Sequence, residues 1–310
     1  MKKPLVWLIA SATLLGSAGA AFAADMPVKA PVNKAPVPVY GWSGFYIGGN
    51  VGYGWDDTHT DLVASGTNIS FPGVIPITNQ LAFTDPHSQS LSGVIGGGQF
   101  GYNYQFNPRW VIGFETDIQA SGQRGSNTST VQFSGAFCTG AVNPPPTCFL
   151  TTPFNATAVT AYEAKIDWFG TVRGRLGFLA NDQFLIYGTG GLAYGQVSAS
   201  GITSVNGSTT TFGPFATPGT GAFSASATRA GYTVGGGVEG KFALNWTWKL
   251  EYLYVNLGSV GAVGSFSGLT EVAGATSAST GASAASARFI DNVVRAGVNY
   301  HFGAPVVAKY

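Results

Sequence analysis

Three histidines, His59, His87 and His301, and two cysteines, Cys138 and Cys148, are the side chains through which nucleophilic, metal or thiol chemistry would have to run in this chain. Lipid hydrolysis or acyl transfer needs a hydroxyl nucleophile bonded to a histidine that an acid orients. His59 and His87 fall in or beside a long Gly/Ser/Thr-rich gap, His301 lies near the end of the last patterned segment, and none adjoins an evident nucleophile. The expectation is therefore no catalysis. Cys138 and Cys148 are separated by nine residues that include Pro144-Pro145-Pro146. They offer too few ligands for a metal site, and in an exported chain they read as a local disulfide. The Gly-rich strings at 93–101 and 188–195 are not phosphate loops, because no helical pattern follows either.

The other ionisable residues acquire meaning from the elements that carry them. Eight segments alternate apolar and polar side chains with period two: 44–56, 91–105, 110–120, 164–179, 184–197, 229–242, 246–257 and 290–302. Phe45, Ile47, Val51, Tyr53 and Trp55 share one face of the first, and Tyr46, Asn50 and three glycines share the other. In the third, Trp110, Ile112, Phe114 and Ile118 oppose Glu115, Asp117 and Gln119. Three short turns, at 106–109, 180–183 and 243–245, alternate with four long gaps, at 57–90, 121–162, 198–228 and 259–289. Long-short alternation over eight strands describes an antiparallel up-and-down barrel with all its large loops at one end. The gaps are rich in Ser, Thr, Gly and Ala and read as solvated loops carrying any surface specificity; the cysteine pair would staple the second.

Facing places Glu115, Asp117, Asp167, Glu239 and Glu251 inside the barrel against Arg173, Arg175, Lys241, Lys249 and Arg295. Charges at low dielectric need partners, and Glu115 or Asp117 beside Arg173 or Arg175 is a natural cross-strand pairing. An eight-stranded barrel is only just wide enough for side chains to fill. Five acids against five bases therefore read as a plug, not an ion-selective pore.

Lys2-Lys3, an apolar run to Ala20 and the Ala21-Phe22-Ala23 site form a secretory signal, residues 1–23. Two of the 15 basic side chains lie in it, leaving 13 against 14 acidic ones, with no basic excess to attract nucleic acid. Residues 24–43 repeat Lys-Ala-Pro-Val at Lys29 and Lys34 and read as an extended periplasmic linker, with a peptidoglycan contact through the two lysines as its functional alternative. Charged residues are 9% of the chain and aromatics 13%, with 45 glycines, where soluble proteins carry about 25% charged residues. Such a composition without an apolar run of about 20 residues after the leader fits a barrel whose outer face meets lipid.

The motifs WSGFYIGGNVGYGW at 42–55, GGGQFGYNYQ at 96–105, WVIGFETDIQ at 110–119, WFGTVRGRLGF at 168–178, LIYGTGGLAYG at 185–195, GYTVGGGVE at 231–239, WKLEYLYVNLG at 248–258 and VVRAGVNYHF at 293–302 resemble, in order, the alphaproteobacterial small outer-membrane β-barrel family. These are porin-like surface antigens, some of which bind haemin. The resemblance implies a barrel over 44–302 in the bacterial outer membrane, surrounded by its lipids and lipopolysaccharide, with both termini periplasmic. Toward haemin, it points to His59 or His87 as axial-ligand candidates. Such barrels commonly end on a Phe read by the assembly machinery; here a tail, 303–310, follows Phe302, so Phe302 and Tyr310 are the two candidates. The expected function is structural and surface-interacting, contributing to envelope integrity. The alternative is a small porin or haemin-uptake protein.

Overall fold

The computed structural model describes residues 41–70, 77–142, 147–209, 213–214, 219–272 and 275–302. The leader, almost all of the linker with Lys29 and Lys34, and the tail with Tyr310 lie outside the described residues.

Ten β-elements follow in chain order: β1 (Gly44–Ser70), β2 (Ile77–Asn107), β3 (Trp110–Ser121), β4 (Arg124–Val142), β5 (Thr147–Leu179), β6 (Phe184–Thr209), β7 (Gly213–Pro214), β8 (Gly219–Ala243), β9 (Trp246–Val272) and β10 (Ala275–His301). β3 and β4 act as one wall strand, since both sit between β2 and β5. β7 is a two-residue appendage on β6. Antiparallel pairing then runs β1–β2–β3/β4–β5–β6–β8–β9–β10, and β10 closes on β1. The result is a closed ring of eight strands at the level of β3; beyond it, β2 and β4 pair only at Ser92 and Arg124.

Period two decides which residues meet which medium. Leu192 is 64% exposed, Val94 61% and Ile118 57%, exposures that only a lipid-facing wall makes favourable. Two aromatic rings bound this apolar belt. At the short-turn end lie Phe45, Tyr104, Phe106, Trp110, Phe184 and Trp246; at the other lie Tyr53, Trp55, Tyr232 and Tyr252. From Phe45 to Trp55 is about 33 Å of strand at ~3.3 Å per residue, or about 25 Å of height at a tilt of ~40°, the thickness of an outer-membrane apolar band.

The four long gaps differ from expectation. They are not open loops over most of their length but continuations of the same strands. Thr60–Ser70 stays in register with Ser277–Ala287 on one side and with Ile77–His87 on the other. β5 is 33 residues long, about 110 Å of strand, where a membrane crossing takes about 10 residues. Thr, Val, Ser and Ala fit a pleated wall, and the near absence of charge lets the ladders continue. The wall thus stands far above the aromatic ring on the long-hairpin side.

Inside, the barrel is layered. Trp42, Val111, Leu179, Leu185 and Tyr187 fill the short-turn end. A charged layer follows. Above it lies an apolar core containing Leu91, Ile95, Ile166, Phe169, Leu253 and Phe289. Leu62, Tyr162, Phe223, Ala262 and Ala285 form a further cluster toward the hairpins.

Candidate functional site

The charged layer is built from neighbouring strands whose inward residues alternate with the lipid-facing ones. β3 supplies Glu115 and Asp117, β5 Arg173 and Arg175, β8 Glu239, β9 Lys249 and Glu251, and β10 Arg295; all eight side chains are at most 3% exposed. Cross-strand register sets Glu115 opposite Arg173 on β5 and Arg295 opposite Glu251 on β9.

Arg173 sits at the centre. It donates to Glu115, to Asp117 at 3.0 Å and to Glu251 at 2.9 Å. Arg295 bridges Asp117 at 2.8 Å and Glu251 at 2.6 Å, and Lys249 reaches Glu115 at 2.9 Å. Arg175 pairs with Glu239 at 2.8 Å, donates to the Tyr46 hydroxyl at 2.7 Å and lies 3.9 Å over the Tyr187 ring. Tyr46 in turn donates to Glu115 at 2.7 Å. Four acids meet four bases, and hydroxyl groups from Tyr46, Tyr187, Thr171 and Thr247 take up remaining acceptor positions. Each carboxylate has at least one cation within ion-pair distance, as buried charge requires.

Two residues expected in this set lie elsewhere. Asp167 sits on the outer wall, one-third exposed, paired with Lys165 at 3.2 Å and accepting from the Ser198 hydroxyl at 3.2 Å. The cause is local: the β5–β6 register shifts between Ile166 and Trp168, so the inward parity changes from even residues (Ala164, Ile166) to odd ones (Phe169, Thr171) across that bulge. Lys241 is half-buried at the short-turn mouth, at the edge of the layer, with its ammonium 4.6 Å over the Trp42 ring and within electrostatic reach of Glu239.

The histidines do not assemble a hydrolytic site. His59 Nδ1 lies 2.7 Å from the Ser88 hydroxyl, but no carboxylate among the described residues bonds the ring. His301 presents a single nitrogen, Nε2, to both Glu239 at 3.3 Å and Thr247 at 3.2 Å, whereas a triad needs acid and hydroxyl on opposite ring nitrogens. His59 and His87 lie on opposite faces of the β1–β2 hairpin. His59 points outward and is exposed, while His87 points inward and stacks on Tyr162 with ring centroids 5.2 Å apart. They cannot jointly clasp one macrocycle. Tyr162 donates to Asp85 at 2.7 Å; burial first, and this bond second, hold its phenol above the usual tyrosine range. Cys138 and Cys148 belong to β4 and β5, but their side chains lie outside the described residues, as does any bond between them.

A closed antiparallel ring of eight strands, an apolar belt between aromatic rings and a charge-filled lumen together decide the class of protein. A family model described as the outer membrane protein beta-barrel domain matches residues 10–302. The chain belongs to that family. Members similar to it include the 31 kDa outer-membrane immunogenic protein of Brucella melitensis, 34% identical over 78% of this chain and 82% of that protein. The 22 kDa outer membrane protein of Rhizobium leguminosarum bv. viciae is 31% identical over 72% of this chain and 68% of its own length. As a member of the outer membrane protein beta-barrel family, the chain is a protein of the outer membrane. The family matches the sequence-based resemblance in both fold and location.

Sequence reasoning found the charged layer through the alternation of Glu115, Asp117, Arg173, Arg175, Lys249 and Glu251 with apolar neighbours. It placed Tyr46 on the inward face through its phase against Phe45 and Ile47, but assigned neither Tyr46 nor Tyr187 to the charge network, because a phenol carries no charge signal.

Proposed function

We propose that the protein is a sealed barrel whose work is structural and at the cell surface: it strengthens the outer membrane and holds a tall β wall into the surroundings, without catalysis. The observation that carries this reading is the lumen. A buried layer of four acids and four bases lies between two apolar layers, and no strand contributes an unbalanced ring of one sign that would select an ion. The outer membrane protein names of the relatives, and the immunogenic character in the Brucella protein's name, support a surface role for this chain.

The short-turn end then faces the periplasm, where the linker of residues 24–43 enters, and the long hairpins face outward. Lipids and lipopolysaccharide surround the apolar belt.

Planar-bilayer recording of purified protein tests the seal. No resolvable single-channel steps are expected, and a stable ohmic conductance in the wild type would overturn it. A deletion strain should show raised detergent sensitivity that the full chain restores; unchanged sensitivity argues against a structural role. Surface labelling of a cysteine introduced at Ser134, on the β4–β5 hairpin, reads the orientation: labelling of intact cells is expected, and protection in intact cells would reverse the two ends.

A further inference from the structure

The first outward charges beyond the apolar belt follow a pattern. Among the described residues, the outer face of the strands holds three Lys or Arg side chains, Arg124, Lys165 and Arg288. All three stand just past the belt on the long-hairpin side. Lys165 is three residues beyond Trp168, Arg124 is four beyond Ala120, which pairs with Trp168, and Arg288 is four beyond Asn292, which pairs with Trp55. Three to four residues are about 10–13 Å of strand, or roughly 8–10 Å of height at a tilt of ~40°. Long basic side chains at that height reach the headgroup layer, which is about 5–7 Å thick on each side of a bilayer. Arg229 is not one of the set, since it opposes Gly195 in phase with Ala193 and Val197 and points into the lumen.

Two of the three cations are direct neighbours. Arg124 on β4 stands opposite Lys165 on β5, Lys165 opposite Ser198 on β6, and Ser198 opposite Ser226 on β8. One outward row across four strands thus presents two cations and then two hydroxyls, over about 14 Å at ~4.8 Å between strands. Like charges directly opposite repel. Lys165 is offset by Asp167 at 3.2 Å, an exposed pair, and Glu163 lies two residues from it on the same face. Arg124 has no such compensation: it is exposed, Gly122 and Ser126 flank it on the outer face, Ser92 faces it from β2, and no carboxylate among the described residues pairs with it. An anion between Arg124 and Lys165 relieves the repulsion, and a guanidinium fork beside an ammonium suits phosphate.

The rest of the row says what else the anion carries. Lys165, Gln196, Ser198, Ser224 and Ser226 line a groove of about 510 Å³ on the same outer face. The Ser198 and Ser226 hydroxyls are 3.0 Å apart, Gln196 donates to Ser226 at 3.2 Å, and Trp168 donates to Gln196 at 3.1 Å. Hydroxyl and amide groups in a row match a polyhydroxylated ring. Toward the belt the same face continues as Trp168 against Tyr194, then Leu192, where acyl chains would lie.

We propose that this outward row binds the phosphorylated sugar headgroup of a glycolipid, with a phosphate between Arg124 and Lys165 and the sugar along Gln196, Ser198 and Ser226. The assignment to the outer leaflet rests on the orientation proposed above, whereas the headgroup chemistry does not.

Native mass spectrometry of the full-length protein in detergent, titrated with bisphosphorylated lipid A, tests this directly. Arg124→Gln and Lys165→Gln are each expected to bind about fivefold more weakly than wild type, the loss for one basic side chain at a lipid phosphate. Dephosphorylated lipid A should bind wild type as weakly as lipid A binds the double variant. Arg288→Gln removes a cation at the same height whose cross-strand neighbours are His59 and Ser259, and is expected to bind as wild type does. Ser226→Val, which fills the groove, should weaken lipid A and leave phosphatidylglycerol unaffected. Heat-modifiable migration in gels verifies that every variant is folded. Unchanged binding in Arg124→Gln and Lys165→Gln would overturn the proposal, and an equal loss in Arg288→Gln would replace it with diffuse attraction to a charged surface. Wild-type affinity in Ser226→Val would overturn the sugar assignment, and displacement of lipid A by millimolar inorganic phosphate would mark a free-anion site instead. Since binding in detergent is blind to orientation, its failure leaves the surface-labelling result standing.

Discussion

Replacing Arg173 by Met removes the hub of the lumen while keeping most of its volume. Arg173 is fully buried and pairs with Glu115, with Asp117 at 3.0 Å and with Glu251 at 2.9 Å. Its loss leaves four carboxylates facing Arg175, Lys249 and Arg295. Stripping one partner from a buried ion pair costs about 3–5 kcal/mol. Here every orphaned carboxylate retains a second cation: Lys249 for Glu115, Arg295 for Asp117 and for Glu251. The lower end, about 3 kcal/mol, is therefore expected. Asp117→Asn added to Arg173→Met restores charge balance at three against three, so the double variant should be more stable than the sum of the two single losses by about 1–2 kcal/mol, within the usual range for residues sharing a network. Urea unfolding of the protein folded into phospholipid vesicles, followed by the fluorescence of its tryptophans, measures all four corners of this cycle. A single-variant loss under about 0.5 kcal/mol, or strictly additive losses, would refute the view of the lumen as a mutually dependent charge cluster.

Asp167→Asn should change unfolding stability by less than about 1 kcal/mol, because its partner Lys165 and Asp167 itself are both partly exposed; a loss comparable to that of Asp117→Asn would return it to the lumen. Gly101→Val should destabilise the barrel by about 1–3 kcal/mol, since a Cβ at Gly101 runs into the Tyr46 ring and hydroxyl and would push Tyr46 off Glu115; a stability equal to wild type in the same assay would contradict that packing. Amide exchange should be slow along Thr60–Ala64 and Ala158–Tyr162, which are laddered on both sides, while exchange there as fast as in an unstructured peptide would restore the reading of those stretches as loops.

The wall segments are legible in sequence because lipid outside and a packed lumen inside impose opposite chemistries on successive residues. Nothing else makes Trp110, Ile112, Phe114 and Ile118 alternate with Glu115 and Asp117. The same rule fails at Asp167, which keeps step with Thr171, Arg173 and Arg175 when counted by twos. Only the apolar residues betray the slip: Tyr162, Ala164 and Ile166 occupy the inward parity above the bulge and Phe169 the opposite parity below it. The long gaps deceive for a different reason. Their Gly, Ser and Thr are turn formers in isolation, yet two such stretches laid side by side satisfy each other's backbone groups. That mutual satisfaction depends on a partner more than two hundred residues away, as between Thr60 and Ala287.

Arg229 shows where the legibility of the lumen ends. As a strand's first residue it resembles any charge at a membrane border, and its position along the chain carries no hint that it is unpaired. Three separate features surround it: Gly195 opposite on β6, the bulge that Asn256 and Gly258 impose on β9, and the β8–β9 register that lapses over 225–231. Asn256-Leu257-Gly258 is the trace of this arrangement in the sequence, a side-chain cap followed by a residue free to adopt positive φ at the end of an otherwise regular strand. Yet the same tripeptide would serve equally well to close a hairpin. Only the continuation of β9 for fourteen more residues to Val272 makes it a bulge within a strand instead of a turn.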